Sequence, residues 1–281
     1  MKKILVPTDF SNIAANAFRF AQRLAAEEEA IITVMHAHHP SFDYTNPYLD
    51  LPAQEFEKIK KDMLNDFLEE HTSTPQEDGG VAVLPTIRQE IRIGFAAEEI
   101  TRASKEADLV IMGTTGEGNL LEKVFGSVST YVSSHAKCPV LLVPGNCQCR
   151  GFNNVVYASN NIEADKIMLE QVFSLVKSGP AEVHFVHVDK EELEGQEYIV
   201  RSTQFEEAVR KSLPTVGFNT VSISCEDVQK GIVQYASDIR ADLIVTATTH
   251  KSFLERLFHK SVTRDVVFHT TIPLMVLHYD H

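Results

Sequence analysis

The chain has 281 residues, 43% of them hydrophobic and 23% charged, which is enough apolar material for a core in each of two ordinary domains. It is acidic, with 39 Asp and Glu against 26 Lys and Arg and a formal charge of −13, which argues against a general nucleic-acid or anionic-membrane surface. Four cysteines do not make a secreted disulfide framework, and no apolar run reaches the roughly 18 residues of a membrane span.

The start, MKKILVPTDFS, has a basic tip but no sustained apolar stretch, so no leader and a cytoplasmic protein are expected. Ile4–Pro7 is a short apolar strand, and Ser11 is placed to cap a helix running to about Glu28. Ala14, Ala17, Phe18, Ala21 and Leu24 follow a helical period there. Ala30–Ala37, rich in β-branched residues, reads as a buried strand. The stretch His38–Pro52, with Phe42, Tyr44 and Tyr48, reads as a connection that packs or makes a dimer contact. A helix is expected over Ala53–Glu70, a turn over Pro75–Gly80 and a third strand at Val81–Leu84. A helix over Phe95–Lys105, a strand at Leu109–Met112, a helix at Ser127–His135 and a fifth strand at Val140–Val143 complete this half. Strands alternating with helices imply a parallel sheet covered on both faces.

The pattern then repeats. Ala107–Val110 (ADLV) matches Ala241–Ile244 (ADLI), and His135–Val143 matches His269–Leu277, both at an offset of 134. Lys3–Phe10 is similar to Asn154–Asn161 at an offset of 151. Strands are expected at Val155–Ala158, Ala181–Val188, Thr220–Ser224, Leu243–Ala247 and Leu274–Leu277. Helices are expected near Asp165–Lys177, Tyr198–Leu213, Ile232–Ile239 and Val262–His269. The turn-rich run Pro144–Gly151 is the boundary, giving domains 1–145 and 151–281. It holds Cys147 and Cys149, a pair too small to bind metal without further ligands.

Two features carry chemistry. Gly113 and Gly116, then Gly126 and Ser127, run from the end of the fourth strand to the start of a helix. Free N–H groups at such a helix start receive anions, and glycine lets a phosphate approach the backbone. The same glycines serve equally well as turns. Asp9 follows the central first strand, so it shares the crevice at the carboxyl edge of the sheet. It is placed either to cap the next helix or to accept a hydrogen bond from an adenine amino group or a ribose hydroxyl.

Taken together, ILVPTDFS, Met35-His36-Ala37, Gly94 followed by AAEEI, ADLVIMGT, the G-x2-G-x9-G-[ST] spacing and CPVLLV mark a resemblance. The chain resembles the universal stress protein family in its tandem form. The resemblance implies two Rossmann-like α/β/α domains, each with a five-stranded parallel sheet of order 3-2-1-4-5, paired through their fifth strands. It implies an ATP site in the first domain, with ATP alone or with Mg2+, and a regulatory role in the stress response rather than a dedicated enzyme. By the same resemblance Asp9 contacts adenine, flanked by Pro7 and Thr8. Ala37, Met112 and Gly113 pack on base and ribose. Thr115 and Gly116 begin the phosphate loop, and Gly126, Ser127, Val128 and Ser129 hold phosphates. Glu117 and Glu122 are the acids nearest that loop. In the second domain Asn160, Ala247, His250 and Lys260 replace Asp9, Gly113, Gly116 and Gly126, with Ser261 retained, so that motif is degenerate. A homodimer and a protein partner fit the family. The alternative is a non-nucleotide stress scaffold with both pockets vestigial.

Overall fold

The computed structural model describes residues 2–39, 53–72, 85–114, 126–147, 151–158, 182–189, 217–248 and 271–278. The helices expected over Asp165–Lys177, Tyr198–Leu213 and Val262–His269, the turn at Pro75–Gly80 and all but the start of the 38–52 connection lie outside those residues. Two compact units divide the chain, Met1–Cys149 and Arg150–His281.

In the first unit the order is β1 (Lys3–Pro7), α1 (Asn12–Glu28), β2 (Ile31–His38), α2 (Ala53–His71), β3 (Thr86–Ile93) and α3 (Ala96–Ala103). A 3-10 turn over Ser104–Glu106 leads to β4 (Leu109–Gly113), α4 (Ser127–His135) and β5 (Val140–Val143). All described pairings are parallel, in the order 3-2-1-4-5. Parallel neighbours need crossover helices, and right-handed crossovers put those following β1 and β2 on one face and those following β3 and β4 on the other. Accordingly α1 packs on α2, and α3 packs on α4.

Sequence explains each element locally. The Ser11 side chain accepts the Ala14 N–H, satisfying one of the donors orphaned at a helix start, and α1 closes on Glu29 in the left-handed conformation at φ 49°. The buried stripe Ala14, Ala17, Phe18, Ala21 and Leu24 lies against the sheet. Phe18, Ile32, Leu64 and Ile111 are fully buried. Burial of each such side chain is worth about 1.5–3 kcal/mol.

One strand departs from the expectation. The third strand is Thr86–Ile93, whereas Val81–Leu84 falls outside the described residues. β3 pairs only with β2 among the described strands, and none of its residues is fully buried. Its sequence, TIRQEIRI, therefore carries Arg88, Glu90 and Arg92, the charges an edge strand tolerates, and it gives no apolar run to find.

The second unit contains β6 (Asn154–Ala158), β7 (Glu182–Asp189), β8 (Gly217–Ser224), α5 (Val228–Asp238), β9 (Leu243–Thr248) and β10 (Leu274–His278). Its parallel strands stand in the order β8-β7-β6-β9-β10, again 3-2-1-4-5 counted within the unit. Tyr157 is fully buried at its centre, 5.3 Å from the Phe185 ring. α5 starts at Val228, four residues before Ile232, because Asp227 caps it by accepting the N–H groups of Gln229 and Lys230. Gly231 sits inside that helix because a Cβ there would meet Cys225 Cβ at 3.2 Å and Val188 Cγ1 at 3.4 Å. Among the described residues, no helix is long and apolar enough to cross a membrane.

Candidate functional site

In the first unit β1 and β4 are neighbours, although β1 continues through α1 to β2 on its other side. Strand order reverses there, and the carboxyl ends of the strands splay into a crevice. Pro7, Thr8 and Asp9 from the end of β1, Ala37 from β2, Met112 and Gly113 from β4, and Gly126, Ser127, Val128 and Ser129 from the start of α4 line one cavity of about 250 Å3. Thr115 and Gly116, and the acids Glu117 and Glu122, lie outside the described residues. Four wall residues were not expected from the sequence: Ala14, Met35, Ala96 and Ile100. Ala14 and Met35 fall in an expected apolar helix stripe and buried strand, Ala96 and Ile100 in the helix expected over Phe95–Lys105, and nothing in the sequence separates a core residue from one that borders a void. The cavity is near the lower end of the roughly 300–1,000 Å3 typical of small-molecule pockets.

The turn after β1 is held by its own side chains. Asp9 Oδ1 accepts the Ser11 N–H at 3.1 Å, and Thr8 Oγ1 accepts the Phe10 N–H at 3.0 Å. Asp9 thus closes a turn, while Ser11, not Asp9, caps α1. Asp9 is exposed, and a carboxylate has acceptor capacity beyond one backbone contact. Beneath the turn His36 is buried, and its Nδ1 lies 2.8 Å from the Thr8 carbonyl. Burial holds the His36 imidazole below its ordinary range, against the opposing pull of the Thr8 carbonyl.

At the other wall, Gly126 is the N-cap of α4 and gives it no side-chain cap. The Gly126 N–H donates to the Thr114 carbonyl at 2.9 Å, while Ser127, Val128 and Ser129 open the helix, where N–H groups have no partner within the helix itself. The other helix starts are treated differently. Ser11 caps α1, Asp227 caps α5, and the first turn of α3 carries Glu98 and Glu99. The first turn of α4 has neither cap nor acid, so its positive dipole end is left uncompensated at the cavity wall.

Two expected ligand contacts have structural partners. Ser129 is buried, and its hydroxyl donates to the Thr114 carbonyl at 2.8 Å and lies 2.9 Å from that of Gly126, pinning the loop to the helix. Gly113 is required by packing, because a Cβ there would meet Ile13 Cγ2 at 2.6 Å. In the second unit Ala247 occupies the register slot of Gly113: it pairs with Leu277 as Gly113 pairs with Val143. Val188 likewise takes the place of Ala37 on the second strand, since Val155 pairs with Val183 as Ile4 pairs with Ile32. Both substitutions add side-chain volume. Asn160, His250, Lys260 and Ser261 lie outside the described residues.

Among known proteins, a universal stress protein of Methanocaldococcus jannaschii is 33% identical over 147 residues, 50% of this chain and 81% of that relative. A universal stress protein structure from Archaeoglobus fulgidus covers 99% of this chain and 96% of its own at 18% identity, with a TM-score of 0.69. One from Arabidopsis thaliana, solved with AMP bound, covers 51% of this chain and 92% of its own at 18% identity, with a TM-score of 0.33. The model of the universal stress protein family matches residues 1–144 and again 151–278. The chain belongs to the universal stress protein family, with two family domains in tandem.

Proposed function

We propose that the first unit binds an adenine nucleotide, ATP, and that the chain acts through that binding as a stress-response regulator rather than through turnover. One observation carries this reading: the only helix start left without cap or acid, among those described with their caps, opens onto the cavity that Asp9 borders. The N–H groups of Ser127, Val128 and Ser129 are suited to phosphate oxygens. Met35, Ala37, Ile100 and Met112 offer apolar walls to a base. Asp9 supplies an acceptor for an adenine amino group or a ribose hydroxyl. Asp9 is also the one carboxylate, and the one ionisable side chain, among the described lining residues, which suits recognition better than acid–base chemistry.

Calorimetry of the full chain with ATP and with inorganic tripolyphosphate tests the proposal. ATP should bind, and Asp9→Ala should weaken ATP by about tenfold, or about 1.4 kcal/mol, while leaving tripolyphosphate binding in place. Absence of ATP binding would return the chain to the scaffold reading.

A further inference from the structure

Beneath the turn that carries Asp9, His36 stands on the face of β2 away from the cavity. Side chains alternate along a strand, so Met35 and Ala37 of β2 face the cavity while His36 faces α1 and α2. From there His36 grips both residues that flank Asp9. On one side, its Nδ1 lies 2.8 Å from the Thr8 carbonyl. A carbonyl only accepts, so His36 is the donor there and carries its proton on Nδ1. On the other side, the Phe10 ring lies on the imidazole at 4.3 Å between centroids with a 32° tilt. Phe10 adopts φ 68°, a left-handed backbone that a bulky residue rarely takes. Phe67 of α2 meets the Phe10 ring edge-on at 6.0 Å, and Lys60 Nζ stands 5.9 Å from its centre, so the half-buried ring has neighbours besides His36.

The tie to Thr8 is doubled within the sheet, since the Thr8 N–H donates to the Met35 carbonyl at 2.9 Å. Thr8 is thereby fixed to β2 at its amide and its carbonyl, and Phe10 is fixed to β2 through its ring. Asp9, held between these two anchored neighbours, lines the cavity. His36 Nε2 is buried and has no hydrogen-bond partner among the described residues, so one nitrogen carries the whole polar role of this side chain. An apolar side chain of similar shape would have avoided that orphaned atom and could keep the stacking. It could not donate to Thr8.

We propose that His36 is the positioning residue for Asp9, holding the Thr8–Phe10 turn so that the carboxylate meets the adenosine part of the nucleotide. This rests on the nucleotide reading for its ligand but not for its geometry. The two are tested separately.

The ligand arm compares ATP and tripolyphosphate binding to His36→Phe, His36→Asn and Asp9→Ala in the full chain. His36→Phe keeps a ring and removes the donor; His36→Asn removes the ring and keeps an N–H near the Nδ1 position. The expected result is a tenfold loss of ATP affinity in His36→Phe with tripolyphosphate unchanged, partial recovery in His36→Asn, and no added loss when Asp9→Ala is combined with His36→Phe. Equal losses for both ligands, or additive losses with Asp9→Ala, would overturn it. The geometry arm needs no nucleotide. Nitrogen-15 NMR of wild type should show His36 as the Nδ1–H tautomer, and the N–H groups of Phe10 and Ser11 should exchange at least tenfold faster in His36→Phe while those of β4 do not change. If His36→Phe does not fold, the same exchange comparison in His36→Asn should show the Phe10 N–H accelerated less than tenfold. An Nε2–H tautomer, or an exchange change spread evenly over the unit, would overturn the proposal even if ATP binds. If ATP fails to bind any variant while the geometry arm holds, the nucleotide reading fails and the turn assignment stands.

Discussion

At Gly113 a side chain is excluded by a neighbour rather than by the backbone. An added Cβ would lie 2.6 Å from Ile13 Cγ2 and 3.3 Å from the Ile13 backbone carbonyl. Gly113→Ala should therefore cost about 1–3 kcal/mol, as overpacking does. The penalty should shrink in an Ile13→Ala background without vanishing, because the backbone contact remains. Urea titrations of the four proteins in that cycle measure the coupling, and equal penalties in both backgrounds would show that Ile13 is not the obstacle. Titration gives a second residue-level prediction. His36, His38 and His184 all lie below their ordinary 6.5, first because burial disfavours the charged ring. Lys60 pushes His36 and His38 further down, while Asp9, Glu57 and Glu182 oppose from nearby. The unfolded chain then binds protons that the folded chain refuses, so stability falls as pH drops below about 6.5 and the loss ends once the folded rings protonate. The urea midpoint should be lower at pH 5.5 than at pH 7, with a shallower fall in His36→Asn. The Cys138 thiol, pushed up to about 12 chiefly by burial, should resist alkylation at pH 8 until the chain is unfolded.

Helix α4 is the element on which the binding proposal turns, because its start is left unfinished as a piece of secondary structure. Ser127 is exposed and stands at the first helical position. Ser127→Asp should stabilise the fold by about 0.3–1 kcal/mol through the helix dipole. The same carboxylate would repel phosphates, so ATP and tripolyphosphate should both weaken. A thermal midpoint that rises while binding falls is the expected signature. If binding falls only together with stability, the helix start has a structural role alone. Elements also show what the sequence could reveal. α1 was legible because its Ser11 cap and its Ala14, Phe18 and Ala21 stripe point to the same helix. β3 was not, because an edge strand carrying Arg88, Glu90 and Arg92 lacks the apolar run that betrays a buried one. α5, expected from Ile232, starts at Val228 because Asp227 caps it there, and Gly231 inside it is demanded by the close approach of Val188 and Cys225. Asp9 and the Gly126–Ser129 turn could be placed at one crevice because the family resemblance implies the strand order that makes β1 and β4 neighbours. The part of His36 could not, since it depends on which face of β2 the turn folds against.

The whole molecule is one architecture used twice on unequal terms. Both units share the strand order, and their registers correspond residue for residue at β1 and β6, β2 and β7, and β4 and β9. Within that common frame, the first unit keeps Gly113 and Ala37 where the second has Ala247 and Val188. Ala37 gives the first unit room beside the cavity that Val188 would fill, so the site belongs to the smaller residues as much as to the polar ones. The net charge of −13 fits this picture, because a ligand held by helix-start N–H groups needs no basic field around it. The central claim is one competent adenine-nucleotide site per chain, in the first unit. Native mass spectrometry of the full chain titrated with ATP tests it most directly. One ATP per chain is expected, lost in the Asp9→Ala, Ser127→Asp double variant. Two per chain, none, or one that survives the double variant would contradict the account.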